Sequence, residues 1–167
     1  DPSRREVLAV MLPALARDKV EVREAKPLSV DPGSDLAILK VEGIALPALK
    51  VGDSAGVREG QAVLFTGFPI GPVLGPYPVT HRGMVSAITP IAIPQARSAE
   101  LNAHVIRRLS TGSFPVFQLD ATAYPGNSGS PVYDPESGTV YAVINMGFVK
   151  GLKENAISNP SGIRYAI

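Results

Sequence analysis

Glycine and proline interrupt this sequence so often that short strands joined by turns are the structure it fits best. The chain carries 16 glycines and 16 prolines, and the apolar runs between them are mostly short. Both residue types favour turns and are poorly tolerated inside long regular elements. We therefore predict a mainly β protein.

Alternation and apolar runs indicate where the strands lie. Residues 19–23 alternate apolar and charged side chains, which favours a strand with one buried face. Residues 36–39 and 62–65 are continuous apolar runs, as expected of strands buried on both faces. Further candidate strands cover residues 7–12, 83–88, 116–119, 140–145 and 163–167.

Three segments predict how these strands are connected. Residues 134–138 (DPESG) are rich in turn formers, so the flanks 131–133 and 140–143 are predicted to pair as a hairpin. Residues 98–112 have helical spacing with a capping serine and a final glycine, which predicts one short surface helix. The Pro/Gly-rich residues 68–78 are the best candidate for a linker between two halves.

Composition excludes several classes of function. A formal net charge of +1 with 19% charged residues provides no broad basic field, so we expect no nucleic-acid partner. No apolar run reaches about 18 residues, which excludes a membrane-spanning helix. The chain has no cysteine and no cluster of histidines, so we predict neither a metal site nor a cofactor.

The hexapeptide at residues 126–131 (GNSGSP) points to chemistry, because it places Ser128 between two glycines. Gly126 and Gly129 allow a sharp turn that exposes the hydroxyl, and the N–H groups of Ser128 and Gly126 can converge on a developing oxyanion. The plain alternative is a Gly/Ser/Asn loop between strands. The hexapeptide alone does not decide between them.

Several blocks resemble the trypsin-like serine proteases, and most of all the bacterial HtrA/Deg-type group. Residues 34–41 (SDLAILKV) resemble the aspartate strand of that group, and residues 49–54 and 57–61 resemble the connection that follows it. Residues 79–88 are similar to the strand that opens the second barrel, and residues 117–122 precede the serine as in the family.

The resemblance implies an all-β fold of two antiparallel barrels, with residues 1–75 forming an incomplete first barrel and residues 76–167 the second. Ser128 is then the nucleophile and Asp35 the buried carboxylate of a Ser-His-Asp triad. The implied oxyanion hole is formed by Gly126, Asn127 and Ser128.

The family's specificity pocket maps onto residues on both sides of the serine. The implied lining favours an uncharged, small to medium aliphatic side chain and consists of Thr122, Ala123, Ile144, Asn145 and Met146. We also expect an exposed strand edge at residues 144–146 to pair with an extended peptide. Polypeptide is therefore the implied substrate.

The family order of the triad is His, Asp, Ser, yet both histidines of this chain, His81 and His104, follow Asp35. We expect neither to be the general base. The hypothesis is that the chain is a core fragment whose histidine segment lies upstream of Asp1, so that residues 1–167 alone have little or no activity. The alternative is a catalytically inactive, peptide-binding or scaffold relative.

The same resemblance implies a periplasmic or secreted location, and homo-oligomers formed through segments outside this chain. A truncated first barrel has a further consequence. The apolar faces of residues 8–12 and 36–39 are predicted to be exposed or covered by another chain.

Overall fold

A computed structural model describes residues 7–13, 20–32, 34–69, 75, 77–90, 115–147 and 163–167. In these residues the chain is all-β apart from one 3-10 turn, Ser54–Gly56, as the sequence predicted. The helix predicted at residues 98–112 lies outside the described ranges. No helix in the described part is long and apolar enough to cross a membrane.

The chain divides into two compact units. One, called the sheet unit here, comprises Asp1–Ala48 and Gly71–Tyr77. The other, called the barrel unit, comprises Leu49–Ile70 and Pro78–Ile167.

The sheet unit contains one antiparallel sheet of three strands in chain order. These are β1 (Ala9–Pro13), β2 (Val20–Asp31) and β3 (Leu36–Val41). Met11 lies opposite Val22 across β1 and β2. The pairing of β2 with β3 is interrupted by a register shift between Pro27 and Ser29.

The apolar side chains of this sheet are largely exposed, which corrects the prediction that residues 36–39 are buried on both faces. Ile38 is 64% exposed, and Leu36 and Leu39 are also open to solvent. Three strands do not close around a core, so apolar side chains on either face stay accessible. Leu8, Met11 and residues 36–39 are exposed, as expected, whereas Val10 and Leu12 are half-buried.

The barrel unit contains six antiparallel strands that close into a barrel in the order β4-β5-β6-β9-β8-β7. The strands are β4 (Ala62–Gly67), β5 (Val79–Pro90), β6 (Pro115–Asp120), β7 (Pro131–Tyr133), β8 (Val140–Gly147) and β9 (Ile163–Ala166). The predicted hairpin is confirmed, because β7 pairs with β8 and Pro131 lies opposite Val143. Although β4 precedes residue 75, it pairs with both β5 and β7. The boundary at residues 75 and 76 stays a prediction.

Inward-facing side chains of this barrel form the hydrophobic core. Its members include Val63, Phe65, Val85, Leu119 and Val132, all nearly or fully buried. Strand β4 alternates buried and half-buried residues, so residues 62–65 are not buried on both faces as predicted. The reason is barrel closure, which gives each strand one inner and one outer face.

Candidate active site

Two consecutive turns shape the loop that carries Ser128, residues 124–130, called the serine loop here. The N–H of Asn127 donates to the carbonyl of Tyr124 at 3.1 Å, and the N–H of Ser130 donates to the carbonyl of Asn127 at 3.0 Å. The third position of each turn is a glycine with positive φ, 98° at Gly126 and 87° at Gly129. A type II turn needs that conformation there, which explains the glycine spacing.

Strand β8 holds the far end of the serine loop. The N–H of Gly129 donates to the carbonyl of Ile144 at 2.7 Å, and the N–H of Ile144 donates to the carbonyl of Ser130 at 2.9 Å. These two bonds extend the β7–β8 ladder into the loop. The backbone around Ser128 is thereby fixed to the barrel.

Ser128 itself is exposed, so a substrate carbonyl can reach its hydroxyl. Among the described residues, the N–H groups of Gly126 and Ser128 take part in no hydrogen bond. The N–H of Asn127 is bonded within the first turn, and the predicted oxyanion hole of Gly126, Asn127 and Ser128 stays a prediction. Among the described residues the Tyr124 N–H is also unbonded, so three N–H groups of the loop remain, two of them at Gly126 and at the exposed Ser128.

The Asn127 side chain points away from solvent and is only 1% exposed. It lies over Gly67 at the end of β4. A Cβ added at Gly67 would be 2.7 Å from Asn127 Oδ1 and 2.1 Å from Ser130 Oγ. Only a glycine at this position leaves room for the serine loop. Neither Oδ1 nor Nδ2 of Asn127 has a hydrogen-bond partner.

His81 lies on β5 directly opposite Phe65 of β4. The two rings stack with centroids 5.0 Å apart and planes 18° apart, and the Tyr124 ring lies 6.3 Å from the imidazole. Burial lowers the pKa of His81 from its ordinary value of 6.5. His81 Nε2 is buried without a hydrogen-bond partner. This nitrogen therefore accepts no hydrogen bond from the Ser128 hydroxyl.

Asp35 belongs to the sheet unit and immediately precedes β3. Its φ of 54° lies in the left-handed region, which aspartate tolerates better than most residues. The side chain is exposed, whereas the resemblance implied a buried carboxylate. The role of Asp35 as the triad carboxylate stays a prediction.

The residues predicted to line a specificity pocket fall in two places on the barrel. Thr122 is exposed and Ala123 is buried just after β6, while Ile144 is buried and Asn145 half-buried on β8. Met146 lies on β8 opposite Tyr165 of β9. The strand edge expected at residue 144 is not free, because both backbone groups of Ile144 bond to the serine loop.

Sequence reasoning assigned no role to Gly67 or Tyr124 and treated His81 as an ordinary strand residue. The sequence does contain a signal for His81. It lies two residues after Val79 and four before Val85, and even spacings in a strand place all three side chains on the same, inner face. Tyr124 precedes a Pro-Gly pair, which marks a turn. Among the described residues, no group of three or more His, Cys, Asp or Glu could hold a metal ion.

A closed antiparallel barrel that presents a glycine-flanked serine and two unbonded N–H groups has the features of a serine peptidase. A family model described as "Trypsin-like peptidase domain" matches residues 7–143. The chain belongs to this family, and the resemblance found in the sequence is confirmed.

Curated relatives narrow the comparison to one group. A protein of Marinomonas sp. (strain MWYL1), named "Probable periplasmic serine endoprotease DegP-like", is 38% identical over 110 residues, which are 66% of this chain and 19% of the relative. A protein of the same name from Pseudomonas fluorescens is 37% identical over 117 residues, 70% of this chain and 20% of the relative. The chain thus spans about a fifth of the relatives' length. The shared name includes the periplasmic location that the sequence resemblance implied.

Solved structures agree with this fold. The structure titled "HtrA-type protease AlgW with decapeptide" matches with a TM-score of 0.63 and 29% identity, covering 89% of this chain and 38% of that one. The inactive form of the Rv3671c protease matches with a TM-score of 0.64 and covers 88% of this chain and 62% of that one. Because it is only 19% identical, it supports the fold alone.

Proposed function

We propose that this chain is the core of a serine endopeptidase in which Ser128 attacks the carbonyl carbon of a peptide bond. One observation carries the proposal: the serine loop leaves the N–H groups of Gly126 and Ser128 unbonded beside an exposed Ser128. The hydrogen bonds that the loop's backbone does make close its two turns and attach it to β8. This pattern fits a loop that receives a substrate oxygen.

The mechanism follows from where charge develops. As Ser128 Oγ bonds to the carbonyl carbon, its proton moves to an imidazole and the carbonyl oxygen becomes negative. The N–H groups of Gly126 and Ser128 stabilise that oxygen, and one such donor is worth about 10²–10³ in kcat. The imidazolium then protonates the leaving amine, and water hydrolyses the acyl-enzyme.

The remaining triad members are assigned by the family order. Asp35 orients the imidazole and stabilises its charged form. We assign the imidazole to a histidine outside these 167 residues, because both histidines of the chain, His81 and His104, follow Asp35, and His81 is stacked on Phe65. Residues 1–167 alone are therefore expected to be nearly inactive.

The proposed substrate is unfolded or flexible polypeptide. A periplasmic location is proposed because the relatives are named periplasmic serine endoproteases. Thr122, Ala123, Ile144, Asn145 and Met146 form the proposed lining of the specificity pocket, with an uncharged aliphatic preference. The backbone of Ile144 is already bonded to the serine loop, so an extended substrate would pair with the remaining residues of the predicted edge, Asn145 and Met146. We assign no cofactor, since the chemistry needs only side chains and backbone amides.

The alternative is a peptide-binding or scaffold protein that keeps the fold without the chemistry. This alternative is supported by the environment of His81, because no histidine in the described residues forms a hydrogen bond with Ser128. The two functions differ in one measurable property. A scaffold would bind an unfolded polypeptide without cleaving it.

The test is hydrolysis of a fluorescently labelled unfolded polypeptide by the natural protein, including any residues encoded ahead of Asp1. Ser128→Ala should lower kcat by about 10⁶, and Asp35→Asn by about 10⁴. Ser86→Ala, an exposed serine of β5, is the matched control and should retain activity. Binding without cleavage in every variant would favour the scaffold.

A second experiment tests the position of the general base. A fluorophosphonate should modify Ser128 only slowly in residues 1–167, because no base is available to activate the hydroxyl. Rapid modification of this chain would contradict the assignment of the histidine to an outside segment.

A further inference from the structure

Gly67, the last residue of β4, carries the contact between this strand and the serine loop. A Cβ added at Gly67 would lie 2.1 Å from Ser130 Oγ, 3.3 Å from Ser130 Cβ and 2.7 Å from Asn127 Oδ1. Both loop residues are buried. Two side chains of the serine loop therefore occupy the space that a side chain at residue 67 would need.

No side-chain hydrogen bond holds Asn127 in this place. Its Oδ1 and Nδ2 are buried without a hydrogen-bond partner, and only 1% of the residue is exposed. A buried amide is usually oriented by its hydrogen bonds. Because its side chain forms none, the position of Asn127 depends on its packing against Gly67 and on its own backbone bonds.

The backbone of Ser130 holds the peptide group that joins Asn127 to Ser128. The N–H of Ser130 donates to the carbonyl of Asn127 at 3.0 Å, and the carbonyl of Ser130 accepts from the N–H of Ile144 at 2.9 Å. The Asn127 carbonyl and the Ser128 N–H belong to one planar trans peptide group, so they point in opposite directions. The position of Ser130 therefore fixes the direction of the Ser128 N–H, a proposed oxyanion donor.

We propose that Gly67 is a positioning residue for the N–H of Ser128. The absence of a side chain at residue 67 lets Ser130 and Asn127 pack against β4, and in that position they aim the peptide group between Asn127 and Ser128. The orientation of the N–H follows from these contacts alone, whereas its effect on turnover rests on the proposed function.

Alanine at residue 67 is the smallest change that fills this space. Gly67 does not have a positive φ, so Gly67→Ala adds a methyl group without straining the backbone. Rotation of the Ser130 hydroxyl does not relieve the contact of 3.3 Å with Ser130 Cβ, so the Ser130 backbone must move. Because one oxyanion donor is worth about 10²–10³ in kcat, a misdirected Ser128 N–H should lower kcat by about 10² and leave KM nearly unchanged.

The test compares Gly67→Ala with a glycine variant that overlaps its neighbours as closely but far from Ser128 in the chain's contacts. Gly52→Ala is this matched control, because its added Cβ would lie 2.5 Å from Thr139 Cγ2 and 2.6 Å from Tyr141 Cε1, which are outside the serine loop. Both variants should lower the melting temperature of the natural protein. Only Gly67→Ala should also lower kcat for hydrolysis of an unfolded polypeptide, measured where both variants are folded.

A second substitution tests the path through Ser130. Ser130→Gly removes both Ser130 atoms that the added methyl group would overlap and leaves only Asn127 Oδ1, the end of a side chain that can rotate. The double variant Gly67→Ala/Ser130→Gly should therefore recover kcat by about tenfold relative to Gly67→Ala. Ser130→Gly alone completes the double-mutant cycle, so its own effect is subtracted. A double variant with no recovery of kcat would contradict the path.

NMR of the 167-residue chain follows the loop without relying on its chemistry. Gly67→Ala should shift the backbone amide signals of Ser128 and Ser130, and Gly52→Ala should leave both in place. If Gly67→Ala does not fold, Gly67→Ala/Ser130→Gly should fold, because the main overlap is gone. A double variant that is equally unfolded would contradict the contact.

Two further results would overturn the positioning role: a folded Gly67→Ala whose Ser128 amide signal does not shift, or a shifted signal in a protein that keeps the kcat of wild type. The proposed function fails in a different way. If the natural protein cleaves no polypeptide while Gly67→Ala still shifts the amides, the catalytic proposal is refuted and the orientation of the Ser128 N–H by Gly67 stands.

Discussion

The barrel unit and the sheet unit both contain strands rich in apolar residues, but the barrel buries most of its large ones, whereas those of the sheet are mostly exposed. Phe65 on β4 is 0% exposed, whereas Ile38 on β3 is 64% exposed. The strands differ little in hydrophobicity, so closure of the sheet makes the difference. In the barrel every inner side chain has a neighbour across the interior, and in the three-stranded sheet both faces remain open.

The same contrast separates the two proposed catalytic side chains. Ser128 lies in a loop fixed by backbone hydrogen bonds to β8 and within its own turns. Asp35 lies at the end of an open sheet, with an exposed side chain. The backbone hydrogen bonds of the barrel unit preorganise the loop that carries Ser128.

The largest expected effect on stability comes from replacing a core side chain. Phe65→Ala should lower the free energy of unfolding by about 3–5 kcal/mol, because it opens a cavity and removes the ring that stacks on His81. Ile38→Ala should change it by less than about 0.5 kcal/mol. Urea unfolding of both variants measures the difference. Equal losses would contradict the comparison between the two units.

The next effect concerns the contact between β4 and the serine loop. Gly67→Ala should destabilise the chain by about 1–3 kcal/mol, because the added Cβ overlaps Ser130 Oγ and Asn127 Oδ1. Gly56→Ala is the control, since no atom lies within 4 Å of its added Cβ. Thermal unfolding compares the two, and a Gly67 variant as stable as the Gly56 variant would show that the loop is not seated on β4.

A pH effect should appear in the barrel. The folded chain holds the pKa of His81 below 6.5, so the unfolded chain binds more protons between these two values. The contribution of His81 to stability is therefore fully present above pH 6.5 and is lost as the pH decreases towards the folded pKa. Melting temperatures of wild type and His81→Gln should diverge in this window, and parallel curves would argue against a buried neutral imidazole.

The smallest effect is expected in the sheet unit. Arg23 and Glu21 form an ion pair there, with both side chains more than 40% exposed. Exposed ion pairs contribute about 0–1 kcal/mol, so Glu21→Gln should change the free energy of unfolding by no more than that. Chemical unfolding at low and high salt checks this. If Glu21→Gln lowered the free energy of unfolding as much as Phe65→Ala, the exposed ion pair would stabilise the sheet far more than its exposure predicts.

Local patterns predicted much of the fold, because strands and turns depend on neighbouring residues. Residues 134–138 predicted the β7–β8 hairpin, and the glycines at 126 and 129 predicted the sharp turns around Ser128. Burial was less predictable, because it depends on what the rest of the chain supplies. Residues 36–39 have an apolar sequence typical of a buried strand, yet their side chains are exposed.

Parts of the site also depend on register, which no local pattern reveals. The pairing of Ile144 with the serine loop and the use of the Asn127 N–H within a turn could be found only from the structure. The same holds for the stacking of His81 on Phe65, which requires β4 and β5 in one specific alignment. Gly67 became informative only once its neighbours across the barrel were known.

Mapping the fluorophosphonate adduct in the natural protein, with any residues encoded ahead of Asp1, tests the central claim most directly. After digestion, mass spectrometry should find the adduct on the peptide that contains Ser128, and hydrolysis of polypeptide should stop as the adduct forms. An adduct on a different serine in a protein whose hydrolysis is lost, or full hydrolysis with Ser128 modified, would contradict the account.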